Sequence, residues 1–483
     1  MAAKEFQVAI ELGSSKITGI AGKKSMDGSI QVLAVVREDA TSCIRKGVVY
    51  NIDKTSACLT SIIKKLKTLL KSEISQVYVG VGGQSIRSIR NVIVKNLPED
   101  TIISQDMINE LMDNNRSMSY PDLEILDAAT QEYKVGTQYQ IEPVGIQCTK
   151  LEGNFLNILY RKSFYRNLNK CFENANISIA EMYLAPIALA HSVLTEAEKR
   201  SGCMLVDLGA DTTTVSVYYK NILRQLAVIP LGGNNITKDI TSLQIDDNDA
   251  EELKIKYGSA IAENNDADPN STIQIDKDRT IDRQSFIDIV EARVSEIVQN
   301  AWCQVPSEYN DKLLGGIVLT GGGSNMKDIK KAFTAATNIA KVRIANNVTF
   351  NVTSTDNEVN AKNGTMNTIL GLLAKGDMNC AGQTLVRTDL FGGTETTEPT
   401  VATEAPRRRT EDGRGRVISP QELEEIERKR RIAETKPEPQ VTHEPEEDTN
   451  SKKKGGFFSR YMEKIKEFGT KIISEETDDE GRR

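Results

Sequence analysis

The sequence predicts an α/β protein built from two related halves. A strand–turn–strand pattern with an acidic residue near the strand end occurs twice, as VAIELGSSKITGIA at residues 8–21 and as MLVDLGADTTTVSVY at residues 204–218. Other β-branched runs, at residues 30–36 and 76–81, alternate with amphipathic stretches such as residues 55–70. Alternating strands and helices of this kind are typical of an α/β core.

Length and composition exclude several classes of protein. At 483 residues the chain is longer than one ordinary domain. A net charge of −7 and 5% aromatic residues argue against nucleic-acid binding, which usually needs a basic face or stacking rings. The seven cysteines form no CxxC pair and only two histidines occur, so disulfides, zinc sites and histidine-based catalysis are not expected.

With no apolar run near the roughly 20 residues of a spanning helix, and no signal-peptide core, we expect a cytoplasmic protein.

The two hairpins predict an anion-binding cleft. A short turn of small residues lets backbone N–H groups approach an anion closely, and hydroxyl side chains add donors. Two such turns, one from each half, would hold a triphosphate from both sides. Either turn alone also fits an ordinary β-hairpin, but their repetition in register favours binding. The residues are Gly13, Ser14, Ser15 and Lys16 in the first turn, and Gly209, Ala210, Asp211, Thr212 and Thr213 in the second.

Two acidic residues near the strand ends of these hairpins predict a metal site. Glu11 and Asp207 each stand two residues before the turn glycine. Their carboxylates suit Mg²⁺ bound through water, because Mg²⁺ keeps most of its waters.

Two further segments predict the nucleoside end of the same cleft. In GGIVLTGGGSNMKDI (residues 315–329), a strand, three glycines and a helix start permit close backbone approach at Gly321, Gly322, Gly323 and Ser324. In DAEELKIKYG (residues 249–258), Glu251 would face a ribose hydroxyl and the Lys254 stem an adenine ring. A solvated charged helix is the alternative for this second segment.

The last hundred residues differ in composition from the rest. Residues 386–454 have little to bury and predict a disordered, charged linker. Residues 455–474 predict an amphipathic helix with an aromatic and aliphatic arc flanked by basic residues, which suits a membrane surface; a helix that binds a protein partner is the alternative. The membrane-facing residues would be Phe457, Phe458, Arg460, Tyr461, Met462, Lys464, Ile465, Phe468, Lys471, Ile472 and Ile473.

The order of these motifs resembles the nucleotide-site motifs of the actin/Hsp70/hexokinase superfamily. A finer resemblance is to the FtsA family of bacterial cell-division proteins, and it covers roughly residues 6–385 and 455–473. The segments that carry it are FQVAIELGSSKI, RKGVVYNID, DAEELKIKYG, RQSFIDIVEARVSEI, GGIVLTGGGSNM and the basic amphipathic C-terminus.

The resemblance implies an actin-like (ribonuclease H-like) two-lobed fold with an inserted subdomain. The first lobe would comprise residues 6–82 and 163–195, with the insertion at 83–162. The second lobe would comprise residues 196–236 and 303–385, with a peptide-binding subdomain at 237–302.

The resemblance also implies a function. Such a protein binds ATP and Mg²⁺ and polymerises into actin-like filaments. It binds the C-terminal peptide of the tubulin-like FtsZ, here through Arg279 and Arg293, for which plain surface charge is the alternative. It recruits later division proteins, and its terminal helix fixes FtsZ to the inner membrane at the division septum.

Two positions depart from the superfamily pattern. Glu11 replaces the more common aspartate. Ile187 stands where actin has a water-orienting glutamine, so ATP turnover is expected to be slow or absent. His191, in the same predicted helix, is expected to pack in the core. The other functions considered are a sugar or acetate kinase, an Hsp70-type ATPase and an actin-like pilus-assembly protein.

Overall fold

A computed structural model describes residues 5–99, 101–261, 272–275 and 279–382. In chain order the strands are β1 (Gln7–Leu12), β2 (Lys16–Lys24), β3 (Ile30–Asp39), β4 (Ile44–Arg45), β5 (Val48–Val49), β6 (Gln76–Val81), β7 (Arg87–Asn96), β8 (Leu123–Val135), β9 (Gln138–Gln140), β10 (Lys150–Arg161), β11 (Ser178–Leu184), β12 (Cys203–Leu208), β13 (Thr213–Tyr219), β14 (Ile222–Ile229), β15 (Thr272–Gln274), β16 (Thr280–Asp282), β17 (Gly316–Thr320), β18 (Val342–Ile344) and β19 (Val352–Thr353). The helices are α1 (Ile52–Leu70), α2 (Gln105–Arg116), α3 (Lys162–Asn174), α4 (Ala185–Val193), α5 (Glu196–Ser201), α6 (Gly233–Ile240), α7 (Asp247–Tyr257), α8 (Arg283–Cys303), α9 (Ile329–Thr337), α10 (Asn357–Asn360) and α11 (Asn367–Lys375).

Two sheets repeat one strand order. The first sheet runs β11-β6-β1-β2-β3-β19, and the second contains β18-β17-β12-β13-β14. In both, three strands form an antiparallel meander, and the first strand of the meander pairs in parallel with the strand on its other side, β6 or β17. Each predicted hairpin is therefore the first hairpin of a duplicated, ribonuclease H-like sheet, which confirms the predicted fold class.

Helix α1 shows how the first sheet is covered. Asn51 caps the helix by accepting a hydrogen bond from the Lys54 amide at 2.9 Å. Leu59, Ile62, Ile63 and Leu66 form its buried face, on the helical spacing that the sequence shows. Against this face lies Gly19 of β2, where an added Cβ would stand 2.4 Å from Ile62 Cγ2, so the close helix–sheet contact requires glycine.

The insertion forms an extension of the second sheet. Strands β7, β10, β8 and β9 continue the sheet beyond β14, where the ladder between β7 and β14 consists of one residue pair, Arg87 and Ala227. The insertion has its own small core, in which α2 packs Leu111 near Phe155 and Tyr133. The inserted subdomain expected at residues 83–162 is thus part of the fold.

The predicted end of the second lobe is wrong. Instead of staying in that lobe to residue 385, the chain returns to the first: β19 pairs in parallel with β3, and α11 packs on α4 and β1. Farther on, the Tyr78 hydroxyl accepts hydrogen bonds from the amides of Asp377 and Met378 at 3.0 and 2.7 Å. These contacts join residues about 300 positions apart, which local periodicity does not reveal.

Several expectations concern residues beyond this description. The predicted linker (386–454) and amphipathic helix (455–474) lie outside the described residues. Within the described ranges, no helix combines the length and apolar character that crossing a bilayer requires.

Candidate nucleotide-binding site

A cavity of about 960 Å³ is lined by both predicted turns and by the triple glycine. Its wall also includes the C-terminal half of α7 and the start of α8. Of the residues predicted for the nucleotide and metal, the cavity is lined by Glu11, Gly13, Ser14, Ser15, Lys16, Asp207, Gly209, Ala210, Thr212, Thr213, Glu251, Lys254, Gly321, Gly322 and Gly323. Asp211 and Ser324 are not part of this lining.

The two turns have the same backbone geometry. In the first turn (residues 13–16), the Gly13 amide donates to the Lys16 carbonyl at 3.1 Å; in the second (residues 209–212), the Gly209 amide donates to the Thr212 carbonyl at 2.9 Å. A Cβ added to either glycine would stand 2.8 Å from that same carbonyl oxygen. Both turns therefore need glycine to close, for the same steric reason.

Glu11 and Asp207 both line the cavity, and burial raises the pKa of each carboxyl group. Burial raises the pKa of Glu11 to about 8, and the negative charge of Asp207 adds to the shift while the Lys16 ammonium opposes it. Burial raises the pKa of Asp207 to about 6. With these pKa values, Glu11 keeps its proton at neutral pH. A bound cation would favour the ionised carboxylate and so displace that proton.

The triple glycine allows the loop after β17 to approach Asp207. Gly321 has a φ of +81°, and a Cβ there would stand 2.4 Å from Asp207 Oδ1. Ser324 is fully buried and its hydroxyl donates to the Gly321 carbonyl at 2.7 Å. The Ser324 side chain thus stabilises the glycine turn, and a contact between this residue and the nucleoside stays a prediction.

Several charged side chains assigned to the nucleotide already have protein partners. The Lys16 ammonium lies 2.7 Å from Glu358. The Lys254 ammonium donates to Glu251 at 2.6 Å, to Thr237 Oγ1 at 2.9 Å and to the Gly233 carbonyl at 3.1 Å. The Glu251–Lys254 pair thus ties α7 to α6 at the cavity wall, and its contacts with ribose and adenine stay predictions.

Asp211 links the two lobes at the cavity mouth. Its carboxylate accepts hydrogen bonds from the Lys46 amide at 3.0 Å and from the Asn234 side chain at 2.7 Å. The neighbouring Gly47 amide donates to Ser14 Oγ at 2.8 Å. The loop at residues 46–47 therefore touches both turns, a role that the sequence reasoning missed although the motif RKGVVYNID contains it.

The predicted peptide-binding arginines contact their own subdomain. Arg293 on α8 binds Asp239 of α6 through Nε at 2.5 Å and Nη2 at 3.1 Å, and this carboxylate raises the arginine's pKa. Arg279 Nη1 donates to the Gln244 carbonyl at 3.4 Å. Peptide binding at either residue stays a prediction.

The remaining expectations about catalysis concern α4. Ile187 packs against the main hydrophobic cluster and does not line the cavity, whereas the expectation that His191 packs in the core is wrong because His191 is exposed. Over the described ranges, no group of three or more histidine, cysteine or acidic side chains is placed to bind a metal. A cation in this cleft would thus draw most of its ligands from water and phosphate.

The duplicated sheet and the glycine-lined cleft between its halves define an actin-like protein. A family model described as "Cell division protein FtsA" matches residues 204–371, and one described as "SHS2 domain inserted in FTSA" matches residues 83–159. The cell division protein FtsA of Porphyromonas gingivalis is 32% identical over 330 residues, which are 67% of this chain and 69% of the relative. FtsA of Pseudomonas aeruginosa is 30% identical over 329 residues, 66% of this chain and 78% of the relative. The chain belongs to the FtsA family of cell division proteins.

One solved structure supports the fold independently. A chain of the PilM–PilN type IV pilus biogenesis complex superposes with a TM-score of 0.53, covering 76% of this chain and 97% of that one. Its 15% identity shows a shared fold and leaves the pilus-assembly alternative without further support.

Proposed function

We propose that this protein is an ATP-binding, filament-forming member of the FtsA family that anchors FtsZ to the inner face of the cytoplasmic membrane at the division septum and recruits later division proteins. The observation that carries the nucleotide part is the pair of identical glycine turns lining one cavity, with Glu11 and Asp207 beside them. Backbone amides at such turns bind phosphate oxygens, and the arrangement suits one triphosphate held from two lobes.

The acidic pair fits Mg²⁺. Its two carboxylates repel each other when both are ionised, and a divalent cation bound to the phosphates would relieve that repulsion. Glu11 and Asp207 would hold the cation through water, and Mg²⁺ would neutralise phosphate charge. The Ile187 side chain can neither orient nor deprotonate an attacking water, so we expect ATP turnover to be slow or absent.

The membrane part of the proposal rests on residues 455–474. Its aromatic residues and flanking lysines suit an anionic lipid surface, where each basic residue contributes about 1 kcal/mol. Deleting residues 455–474 should abolish co-sedimentation with anionic liposomes and leave Mg·ATP binding unchanged. Retained pelleting of the deleted protein would refute the membrane anchor without affecting the nucleotide site.

The FtsZ part of the proposal rests on Arg293. Arginine side chains suit the carboxylates of an acidic peptide. Because Arg293 is paired with Asp239, it must break this ion pair, or keep it with part of the guanidinium, to bind a peptide carboxylate. Arg293→Glu should weaken binding of the FtsZ C-terminal peptide about tenfold, the loss expected for a charged hydrogen-bonded pair, in a fluorescence titration. The matched variant Asp239→Asn should bind at least as well as the wild type, because it frees the guanidinium. Unchanged affinity of Arg293→Glu would remove this site.

A further inference from the structure

The insertion is connected to one lobe by the chain and packs against the other. The chain leaves the first lobe after β6 and returns to it at α3, which packs on α1. The sheet of the insertion, however, continues that of the second lobe, where Arg87 of β7 pairs with Ala227 of β14. Next to this pair, the Ser88 hydroxyl donates to the Leu226 carbonyl at 3.0 Å and accepts from the Leu226 amide at 2.8 Å. The insertion therefore bridges the two lobes.

Two ion pairs cross the interface between the insertion and the second lobe. Arg224 of the second lobe donates from Nη1 and Nη2 to the two carboxylate oxygens of Glu132 of the insertion, at 3.0 and 2.8 Å. In the opposite sense, Nη2 of Arg90 of the insertion lies 2.5 Å from Oε1 of Glu308 of the second lobe. The two guanidinium groups lie 5.7 and 5.9 Å from the centre of the Tyr309 ring. Each side of the interface thus supplies one arginine and one glutamate.

The two ion pairs differ in their exposure to water. Arg224 is buried, and its hydrogen bonds hold the pKa of the Glu132 carboxyl below its usual range. Its Nη1 also donates to the Gln131 side chain at 3.3 Å. The side chains of Arg90 and Glu308 are each nearly half exposed. A buried two-pronged pair holds more strongly than an exposed one, whereas the exposed pair can be substituted without disturbing the core.

This interface lies close in the chain to the nucleotide cavity. Gly83 lines the cavity and precedes Arg87 by four positions, and Gly232 lines it and follows Ala227 by five. The insertion is held to the first lobe by covalent connections at both ends and to the second lobe by noncovalent contacts alone. Because the covalent connections persist, a rotation of the lobes that opens the cleft must be accommodated at the noncovalent contacts.

We propose that the insertion is a strap between the lobes, and that the Arg224–Glu132 and Arg90–Glu308 pairs must separate before the cleft opens to exchange its nucleotide. The inference rests on the proposed nucleotide binding. The pairs hold the closed cleft whether or not a nucleotide occupies it. Weakening them should therefore raise the rates of nucleotide association and dissociation by the same factor and leave the affinity unchanged.

The test measures both rates by stopped-flow fluorescence of the full chain, with a fluorescent ATP analogue and Mg²⁺, and with unlabelled ATP as the chase. Glu132→Gln should speed release about tenfold, as expected when one charge-assisted hydrogen-bonded pair is weakened. Arg90→Glu places two like charges side by side and should speed release about fivefold. The exchanged pair, Arg90→Glu with Glu308→Arg, restores the attraction and should return to within about twofold of the wild-type rate.

A matched control lies on the same strand. Lys95 of β7 forms an ion pair with Glu110 of α2, inside the insertion. Lys95→Glu thus changes the charge of the chain as Arg90→Glu does, without touching the interface between the insertion and the second lobe. It should exchange nucleotide at the wild-type rate, and thermal unfolding of each variant checks that it is folded.

Two results would overturn the inference. Unchanged release in both Glu132→Gln and Arg90→Glu would show that the cleft opens without separating the insertion from the second lobe. Faster release with unchanged association, and so a lower affinity, would show that these substitutions act on the nucleotide site itself. A wild-type chain that binds no ATP analogue is a distinct result, which would refute the proposed function and this inference with it.

Discussion

The first and second turns have one backbone design and two different sets of side-chain contacts. In both, a glycine amide closes the turn on the carbonyl three residues later. Around the first turn, the Lys16 side chain extends away to Glu358 and Ser14 Oγ accepts from the Gly47 amide. Around the second, Asp211 crosses the cavity mouth to the Lys46 amide of the other lobe.

The acids beside the turns also differ. Glu11 is one methylene longer than Asp207 and has the more strongly raised pKa, about 8 against about 6. Only for Glu11 is the charge of the opposing acid among the causes of the shift. Under the proposed function, the duplicated backbone would bind phosphate, while the side chains that differ between the turns join the lobes and the two acids differ in pKa.

The largest expected effect comes from blocking either turn. Gly13→Val and Gly209→Val should each lower Mg·ATP affinity by about 100-fold, because the new side chain collides with the carbonyl that closes the turn and displaces the amides from the phosphates. Isothermal titration calorimetry measures the Mg·ATP affinity, and circular dichroism checks that each variant is folded. Gly28→Ala is the control for backbone strain outside the cavity lining: its φ of +81° strains any side chain, but nothing lies within 4 Å of the added Cβ, so Mg·ATP affinity should stay at the wild-type value. Wild-type affinity in one of the two valine variants would show that this turn does not contribute to phosphate binding.

The next effect is a dependence of the free energy of unfolding on pH, to which Glu11 and Asp207 contribute differently. The pKa of Glu11 is about 8 in the folded chain, against an ordinary value of 4.5 for a glutamate exposed to water, so between these values the folded state holds a proton that the unfolded state has lost. The contribution of Glu11 to stability is therefore complete below about pH 4.5 and is lost as the pH rises through 8. Without nucleotide, the free energy of unfolding should fall by roughly 2 kcal/mol between about pH 6 and pH 8.

Urea unfolding at the two pH values measures this fall. Glu11→Gln should remove most of it, whereas Asp207→Asn should remove less, because Asp207 has the smaller shift. If the free energy of unfolding fell equally between the two pH values in the wild type and in Glu11→Gln, Glu11 would not be the group that holds the proton.

A smaller effect is expected from the contact that only the second turn makes. Asp211→Ala removes the acceptor of the Lys46 amide and of the Asn234 side chain, so the lobes close less readily on the nucleotide. Mg·ATP affinity should fall about fivefold, the cost of roughly 1 kcal/mol for one net hydrogen bond. Asp311→Ala, at an exposed acid outside the cavity lining, should change nothing. A loss of Mg·ATP affinity as large as that in Gly209→Val would show that Asp211 binds the nucleotide or its cation directly.

The features that the sequence predicts correctly are local ones. The turn glycines, the acids and the triple glycine each stand within a single strand–turn segment, where residue type and spacing decide the backbone. Two such segments in register imply a duplicated sheet, and the sheet order confirms it.

The features that the sequence does not predict depend on distant contacts. Lys16 pairs with Glu358, 342 positions away, and β19 returns to β3 after the whole second lobe. The Ser324 side chain is buried and bonds to its own glycine turn, and His191 is exposed although its neighbours in the sequence are apolar.

The central claim is that both turns hold the phosphates of one nucleotide. Amide hydrogen exchange with and without Mg·ATP tests it directly, at residues 13–16 and 209–212. Both segments should become protected together, with the same midpoint along an ATP titration. Protection of one segment alone, or different midpoints for the two, would contradict the account.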